Sequence, residues 1–130
     1  MPPVEVRVFR DGNGKVPFND WLRDLKKKQK RAHARCIYLL MALSREGRDL
    51  KMPHAKPLRD GVMELRGRVG KVNYRPLFAL ISNKVAAVSH GLTKEREVPS
   101  DAIDLAVARI ALMKSDPDRY TADVPRELMK

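Results

Sequence analysis

The sequence predicts an α+β domain in which an antiparallel β-sheet carries an N-terminal helical hairpin on one face. Three observations lead to this prediction. An N-terminal stretch alternates in the manner of a strand, two neighbouring stretches have the 3.6-residue period of amphipathic helices, and three further alternating stretches are separated by turns. A last amphipathic helix follows, which gives the element order β-α-α-β-β-β-α.

The N-terminal part supplies the first strand and the hairpin. Residues 4–9 alternate valine with charged side chains, as in a half-exposed strand. A helix is predicted to begin at Pro17, because proline is favoured at the first helical position, and to end in the lysine run 26–28. The second helix is predicted over 30–46, with Gly47 as its C-terminal stop.

The rest of the chain supplies the other strands and the C-terminal helix. After a loop-like segment at 48–59, strands are predicted at 62–69, 72–81 and 85–92. Ser100 is the predicted N-cap of the last helix. Its predicted buried stripe consists of Ile103, Ala106, Val107, Ile110 and Met113.

Length and composition indicate one domain. Residues 1–115 are predicted to form it, and residues 116–130 a tail with room for one short helix. An apolar fraction of 43% excludes a disordered chain. The single cysteine, Cys36, excludes an intrachain disulfide and favours a buried thiol. The sequence shows neither a signal-peptide pattern nor an apolar run of about 20 residues, so we expect a cytoplasmic protein without membrane association.

Charge indicates the class of partner. The chain has 27 lysines and arginines against 16 acidic residues, for a net charge of +11 and a pI of about 10.2. The excess positive charges repel one another in a compact domain, which favours a polyanion as the usual partner. The alternative is a generically basic protein, such as a ribosome-associated factor.

A predicted hairpin brings several of these charges together. Gly70-Lys71 is typical of a two-residue turn, and counting outward from it places Arg66 opposite Arg75, with Arg68 on the same face. Cβ atoms of opposite residues lie roughly 5 Å apart. Like charges at that distance destabilise a hairpin unless an anion bridges them, and a phosphate fits paired guanidinium groups.

Other arrangements stay open at this stage. The arginines can splay apart, or Glu64 and an acidic neighbour can neutralise them. A bulge at Gly67 would shift the pairing. Pro76 has no N–H and does not suit the interior of a central strand, so either its nitrogen faces no partner or a bulge lies there.

A succession of short motifs resembles a known protein family. In order along the chain these are Leu58-Arg59-Asp60-Gly61, Glu64-Leu65-Arg66, Tyr74-Arg75, His90-Gly91-Leu92-Thr93-Lys94-Glu95 and Val98-Pro99, before a helix that carries Ala106. Their order and spacing over 56–110 resemble the phage-derived, HigB-like branch of the RelE/ParE toxin superfamily. The sequence departs from that pattern at Leu92, where phenylalanine is commoner, and at Glu95, where a second lysine is typical.

The resemblance implies a RelE-like fold and a toxin of a type II toxin–antitoxin system. Most members cleave messenger RNA in the ribosomal A site, without a metal or another cofactor. The positions that match the family's basic residues are Arg66, Arg75 and Lys94, which we expect to be catalytic. We expect Arg68, Lys71 and Arg96 to bind RNA.

His90 is a further catalytic candidate because the pKa of histidine lies near neutrality. A single histidine at a strand end is also commonly structural. His33, His54 and His90 do not have metal-ligand spacing, so no metal site is predicted.

The resemblance also implies partners, and rival functions remain. The expected partners are messenger RNA, the ribosome and a helix-turn-helix antitoxin encoded by an adjacent gene, with DNA reached only through the antitoxin complex. One rival is a ParE-like toxin that inhibits DNA gyrase without enzymatic activity. Another is a catalytically degenerate, basic RNA-binding module. Fold alone does not separate these functions.

Overall fold

The computed structural model describes residues 3–93 and 96–130, and it confirms the α+β class. The strands are β1 (Glu5–Phe9), β2 (Ala55–Pro57), β3 (Met63–Leu65), β4 (Gly67–Val69), β5 (Val72–Leu80), β6 (Val85–Thr93) and β7 (Thr121–Ala122). The helices are α1 (Pro17–Lys28), α2 (Lys30–Glu46), α3 (Ser100–Ser115) and α4 (Pro117–Tyr120), with 3₁₀ turns at Gly47–Asp49 and Arg126–Leu128.

The described strands form one sheet in the order β2-β3-β5-β6-β1-β7, with β4 also paired to β5. This sheet is mixed rather than wholly antiparallel, because β1 runs parallel to β6, with Glu5 opposite Val85. Parallel neighbours need a long crossover connection, and the chain between β1 and β6 includes the whole helical hairpin. The other paired strands are antiparallel.

The region around the predicted hairpin is more divided than the sequence pattern indicated. The segment expected to be a loop contains β2, and the strand expected over 62–69 is interrupted at Arg66. In the register of the flanking pairs, Pro76 of β5 lies opposite Leu65, next to this break. Because Pro76 has no N–H, it cannot donate to the ladder there. On the other side of the strand, the N–H of Arg66 donates to the His54 carbonyl at 2.8 Å, in register with the β2–β3 pairing. A register shift between β5 and β6 follows at Leu77/Phe78.

The helices cover both faces of the sheet. Apolar side chains of α1 and α2, including Phe18, Leu22, Leu39 and Leu43, pack with strand residues that include Leu65, Tyr74 and Phe78. This confirms the helical hairpin on one face. Cys36 lies in the same core, and burial raises the pKa of its thiol to about 12, as expected for a packed cysteine.

α3 packs on the opposite face, against Leu77 and Ala79. Of its predicted stripe Val107 is only partly buried, whereas the other members are buried. The prediction that Ser100 is the N-cap is wrong. Pro99 takes that place because its carbonyl already accepts hydrogen bonds from the Ala102 and Ile103 N–H groups.

The C-terminal tail packs on the sheet and the hairpin. It begins with α4, and β7 then pairs antiparallel with β1, with Thr121 opposite Phe9. Further on, the ring Nε2 of His33 lies 2.6 Å from the Leu128 carbonyl. No helix within the described ranges has both the length and the apolar character needed to cross a membrane.

Candidate functional site

The hairpin register brings Arg66 and Arg75 together. Val69 pairs with Val72 across the Gly70-Lys71 turn, which confirms the predicted two-residue connection, and Gly70 has the positive φ of +63° that such a turn needs. Pairs on both sides of the break, Gly67 with Tyr74 and Glu64 with Leu77, belong to one continuous register. Arg66 therefore stands opposite Arg75 although no ladder hydrogen bond joins them, and no bulge occurs at Gly67.

The two arginines share a carboxylate. Arg66 Nε lies 3.8 Å from Glu64 Oε1, and Arg75 Nη1 lies 3.6 Å from Glu64 Oε2. The sequence left open whether Glu64 would lie near these charges, and the structure places it between them. Neither distance is that of a close hydrogen bond, and the buried Glu64 Oε2 has no hydrogen-bond partner among the described residues.

Arg66 and Arg75 differ in their access to solvent. Arg75 is only 8% exposed, and its Nη2 donates to the Arg96 carbonyl at 2.7 Å. The Arg66 side chain is 37% exposed, and its Nη1 contacts the sulfur of the exposed Met52 at 3.4 Å. Arg75 is therefore mostly buried although it lines both clefts described below. The Arg66 guanidinium is therefore open to solvent, whereas the Arg75 guanidinium lies beneath it and is hydrogen-bonded to the backbone.

Two clefts meet at this pair. The strand-end cleft, of about 290 Å³, is lined by charged residues of both signs: Lys56, Glu64, Arg66, Arg75, Arg96 and Glu97. The central cleft, of about 300 Å³, is lined among others by Arg35, Met52, Arg66, Arg68, Asn73 and Arg75. Among the residues that the structure describes, no carboxylate lines the central cleft. Among the lining residues that the structure describes, cations therefore outnumber carboxylates in both clefts, which favours an anionic ligand.

Two of the three predicted RNA-binding residues, Arg68 and Arg96, line these clefts. Arg68 lines the central cleft, and its Nε donates to the Gly70 carbonyl at 2.9 Å. Arg96 lines the strand-end cleft from the segment that leads into α3. Lys71 is exposed in the hairpin turn. Lys94, a predicted catalytic residue, lies outside the described residues.

His90 is placed apart from the arginine pair. It lines neither cleft, and its Nδ1 lies 2.7 Å from the Ser89 hydroxyl. Burial, together with the Arg109 guanidinium, lowers the pKa of His90 to about 4. The premise that this histidine titrates near neutrality is therefore wrong, and His90 is not grouped with the arginines.

Sequence reasoning missed the contribution of α2 to this surface. Arg31, Arg35 and Tyr38 follow one another at intervals of four and three residues, which places them on one side of the helix. With Arg68 and Gly70 they line a third depression, the helix cleft, of about 550 Å³. The spacing of these three residues in the sequence is the signal that could have predicted their shared face.

Within the described ranges no group of three or more His, Cys, Asp or Glu side chains is arranged to hold a metal ion.

Comparison with known proteins gives one family match. No curated protein matches the chain. The model of the family described as phage-derived protein Gp49-like (DUF891) matches residues 20–111, which is 92 of the 130 residues. The match spans most of α1, all of α2, the hairpin with its arginine pair, and most of α3. The chain therefore belongs to the phage-derived Gp49-like protein family, a family of the RelE/toxin-like kind.

Proposed function

We propose that the protein is the toxin of a type II toxin–antitoxin system, of the HigB-like branch, and that it cleaves messenger RNA on the ribosome. One observation carries the proposal: Arg66 and Arg75 stand opposite each other at the junction of two clefts in which cations outnumber carboxylates. Guanidinium groups bind phosphate through paired donors, so this junction suits a ribose-phosphate backbone. Membership of a toxin-like family supports the same proposed function.

The proposed reaction is intramolecular transfer within RNA. The ribose 2′-hydroxyl gives up its proton to solvent water and attacks the adjacent phosphorus. The bond to the 5′-oxygen breaks as that oxygen takes up a proton, and the products are a 2′,3′-cyclic phosphate and a free 5′-hydroxyl. Negative charge grows on the phosphate oxygens during the attack, and fixed cations stabilise it. Arg66 takes this role directly, whereas Arg75 supports it from beneath. Lys94 is assigned as the proton donor to the leaving oxygen.

The proposed partners follow from this assignment. They are messenger RNA, the ribosome, and a helix-turn-helix antitoxin encoded by a neighbouring gene. An antitoxin that covers the junction of the two clefts would block the RNA and would have to supply acidic groups, because that surface is positively charged.

Mapping of messenger RNA ends after induced expression tests the proposal. Discrete new 5′ ends within codons, together with growth arrest, are expected. Growth arrest with double-strand DNA breaks and intact messages would indicate gyrase inhibition instead. If a protein confirmed to be expressed and folded causes neither effect, only the alternative of a catalytically degenerate RNA-binding module remains.

A further inference from the structure

A row of side chains on α2 continues the basic surface away from the arginine pair. The central cleft and the helix cleft share Arg35 and Arg68, so the two depressions are contiguous. No carboxylate among the described residues lines either of them. Within the same part of the chain, Arg31, Arg35 and Arg68 form no salt bridge. A negatively charged chain that leaves the arginine pair can therefore follow this surface without meeting a described acidic group.

An exposed aromatic ring lies on this path. Tyr38 is 48% exposed. The guanidinium carbon of Arg35 lies 5.2 Å from the centroid of the Tyr38 ring, and the His54 ring meets Tyr38 edge-on, with centroids 5.9 Å apart. Two neighbours thus orient the ring, while about half of it stays open to solvent.

This combination is suited to an unpaired nucleotide. Single-stranded RNA is bound by aromatic rings and guanidinium planes on which bases stack, with cations along the backbone. An acidic protein could pair with the arginines, but its binding would not require the exposed Tyr38 ring. The volume of the helix cleft, about 550 Å³, lies within the range of small-ligand sites.

We propose that the helix cleft binds one unpaired nucleotide of the RNA, with its base stacked on Tyr38 and Arg35 and its phosphate between Arg31 and Arg68. This site lies beside the arginine pair rather than at it, so it holds the RNA without taking part in bond cleavage. The proposal rests on the RNA-binding part of the proposed function.

Binding of a non-cleavable oligonucleotide tests the site separately from catalysis. The probe is a fluorescent 2′-O-methyl RNA of about eight nucleotides, which lacks the attacking hydroxyl. Fluorescence anisotropy gives its affinity for the full chain and for Tyr38→Ala, Tyr38→Phe and Arg66→Ala. Met41→Ala is the matched control, since Met41 is 55% exposed on the same helix but lines none of the three clefts.

Tyr38→Ala should bind about 10-fold more weakly or worse, because one stacked base is lost, whereas Tyr38→Phe should stay within about twofold of the parent. Met41→Ala should bind like the parent. Oligonucleotides with one abasic position each then locate the contact: at a single position, the abasic substitution should remove most of the difference between parent and Tyr38→Ala.

Each of the following results would contradict one part of the two proposals. If Arg66→Ala weakens binding and Tyr38→Ala does not, the nucleotide site is wrong and the proposed function stands. If neither changes the affinity, RNA binding at this surface is wrong altogether. Equal losses for Tyr38→Ala on intact and fully abasic probes would show that no base meets the ring. If Tyr38→Ala lost its binding to a poly-glutamate peptide but kept its binding to RNA, this surface would be a protein-docking site.

Discussion

Arg75 of β5 and Glu64 of β3 form a buried ion pair, with Arg75 Nη1 3.6 Å from Glu64 Oε2 and the two residues 8% and 3% exposed. Burial of two charges is costly, and their attraction offsets the cost only when both partners remain. Glu64 also lies 3.8 Å from Arg66 Nε. One carboxylate therefore stabilises the close approach of two guanidinium groups and leaves the more exposed one, Arg66, for a ligand.

Replacement of Arg75 should destabilise the fold. Arg75→Ala leaves Glu64 buried without its nearest cation, so the free energy of unfolding should fall by about 3 kcal/mol. Urea denaturation measures the change. Arg68→Ala is the control because Arg68 is exposed, and its effect should stay within about 0.5 kcal/mol. Equal stability of Arg75→Ala and the parent would mean that the buried pair contributes nothing.

His90 should make stability sensitive to mild acid. Its pKa is about 4 in the folded protein, against about 6.5 for an unperturbed histidine, so the unfolded chain takes up a proton first as the pH falls. Stability should therefore be lost between about pH 6.5 and pH 4. His90→Asn should reduce the loss between pH 7 and pH 5 by about 1 kcal/mol, after screening by solvent. The same loss in both proteins would contradict the lowered pKa.

Gly91 should tolerate no side chain. A Cβ at this position in β6 would lie 2.4 Å from the Trp21 ring, which is fixed by a 2.9 Å hydrogen bond from its Nε1 to the Thr93 hydroxyl. Gly91→Ala should cost about 1–3 kcal/mol of unfolding free energy through overpacking. The matched change Gly12→Ala meets only one atom, at 3.9 Å, and should have little effect in the same thermal or urea titration. Similar stabilities would show that Trp21 moves aside freely.

RNA affinity should depend steeply on salt. If several of the cleft cations contact phosphates, affinity should fall by orders of magnitude between roughly 50 and 200 mM salt. The slope of log affinity against log salt should become shallower by about one when Arg68→Ala removes one such contact. A flat response in the parent protein would point to a partner other than nucleic acid.

Local features of this fold could be predicted from the sequence, and features set by distant contacts could not. The Gly70-Lys71 turn fixes the register of its own hairpin, so the placement of Arg66 opposite Arg75 was predictable. The burial of Arg75 depends on the Arg96 carbonyl, which lies in a segment well beyond the hairpin. The parallel pairing of β1 with β6 also joins distant parts of the chain.

The candidate site divides in the same way. Arg66 was predicted by motif and register, Arg68 by the hairpin register and Arg96 by the family resemblance, and all three lie on the two clefts. His90 also belongs to a family-like motif, but its environment comes from Ser89 and from Arg109 of α3. Tyr38 belongs to no motif. It lies in the candidate site only because α2 packs beside the hairpin turn.

The most direct test of the account measures cleavage of messenger RNA on purified ribosomes by the parent protein and by Arg66→Ala. The parent should produce fragments with 2′,3′-cyclic phosphate ends. Arg66→Ala, with unchanged stability, should cleave about 100-fold more slowly or worse, because a cation that stabilises the transition state is missing. Arg23→Ala, an exposed change on α1, should cleave like the parent. Undiminished cleavage by Arg66→Ala, or no cleavage by the parent protein, would contradict the central claim.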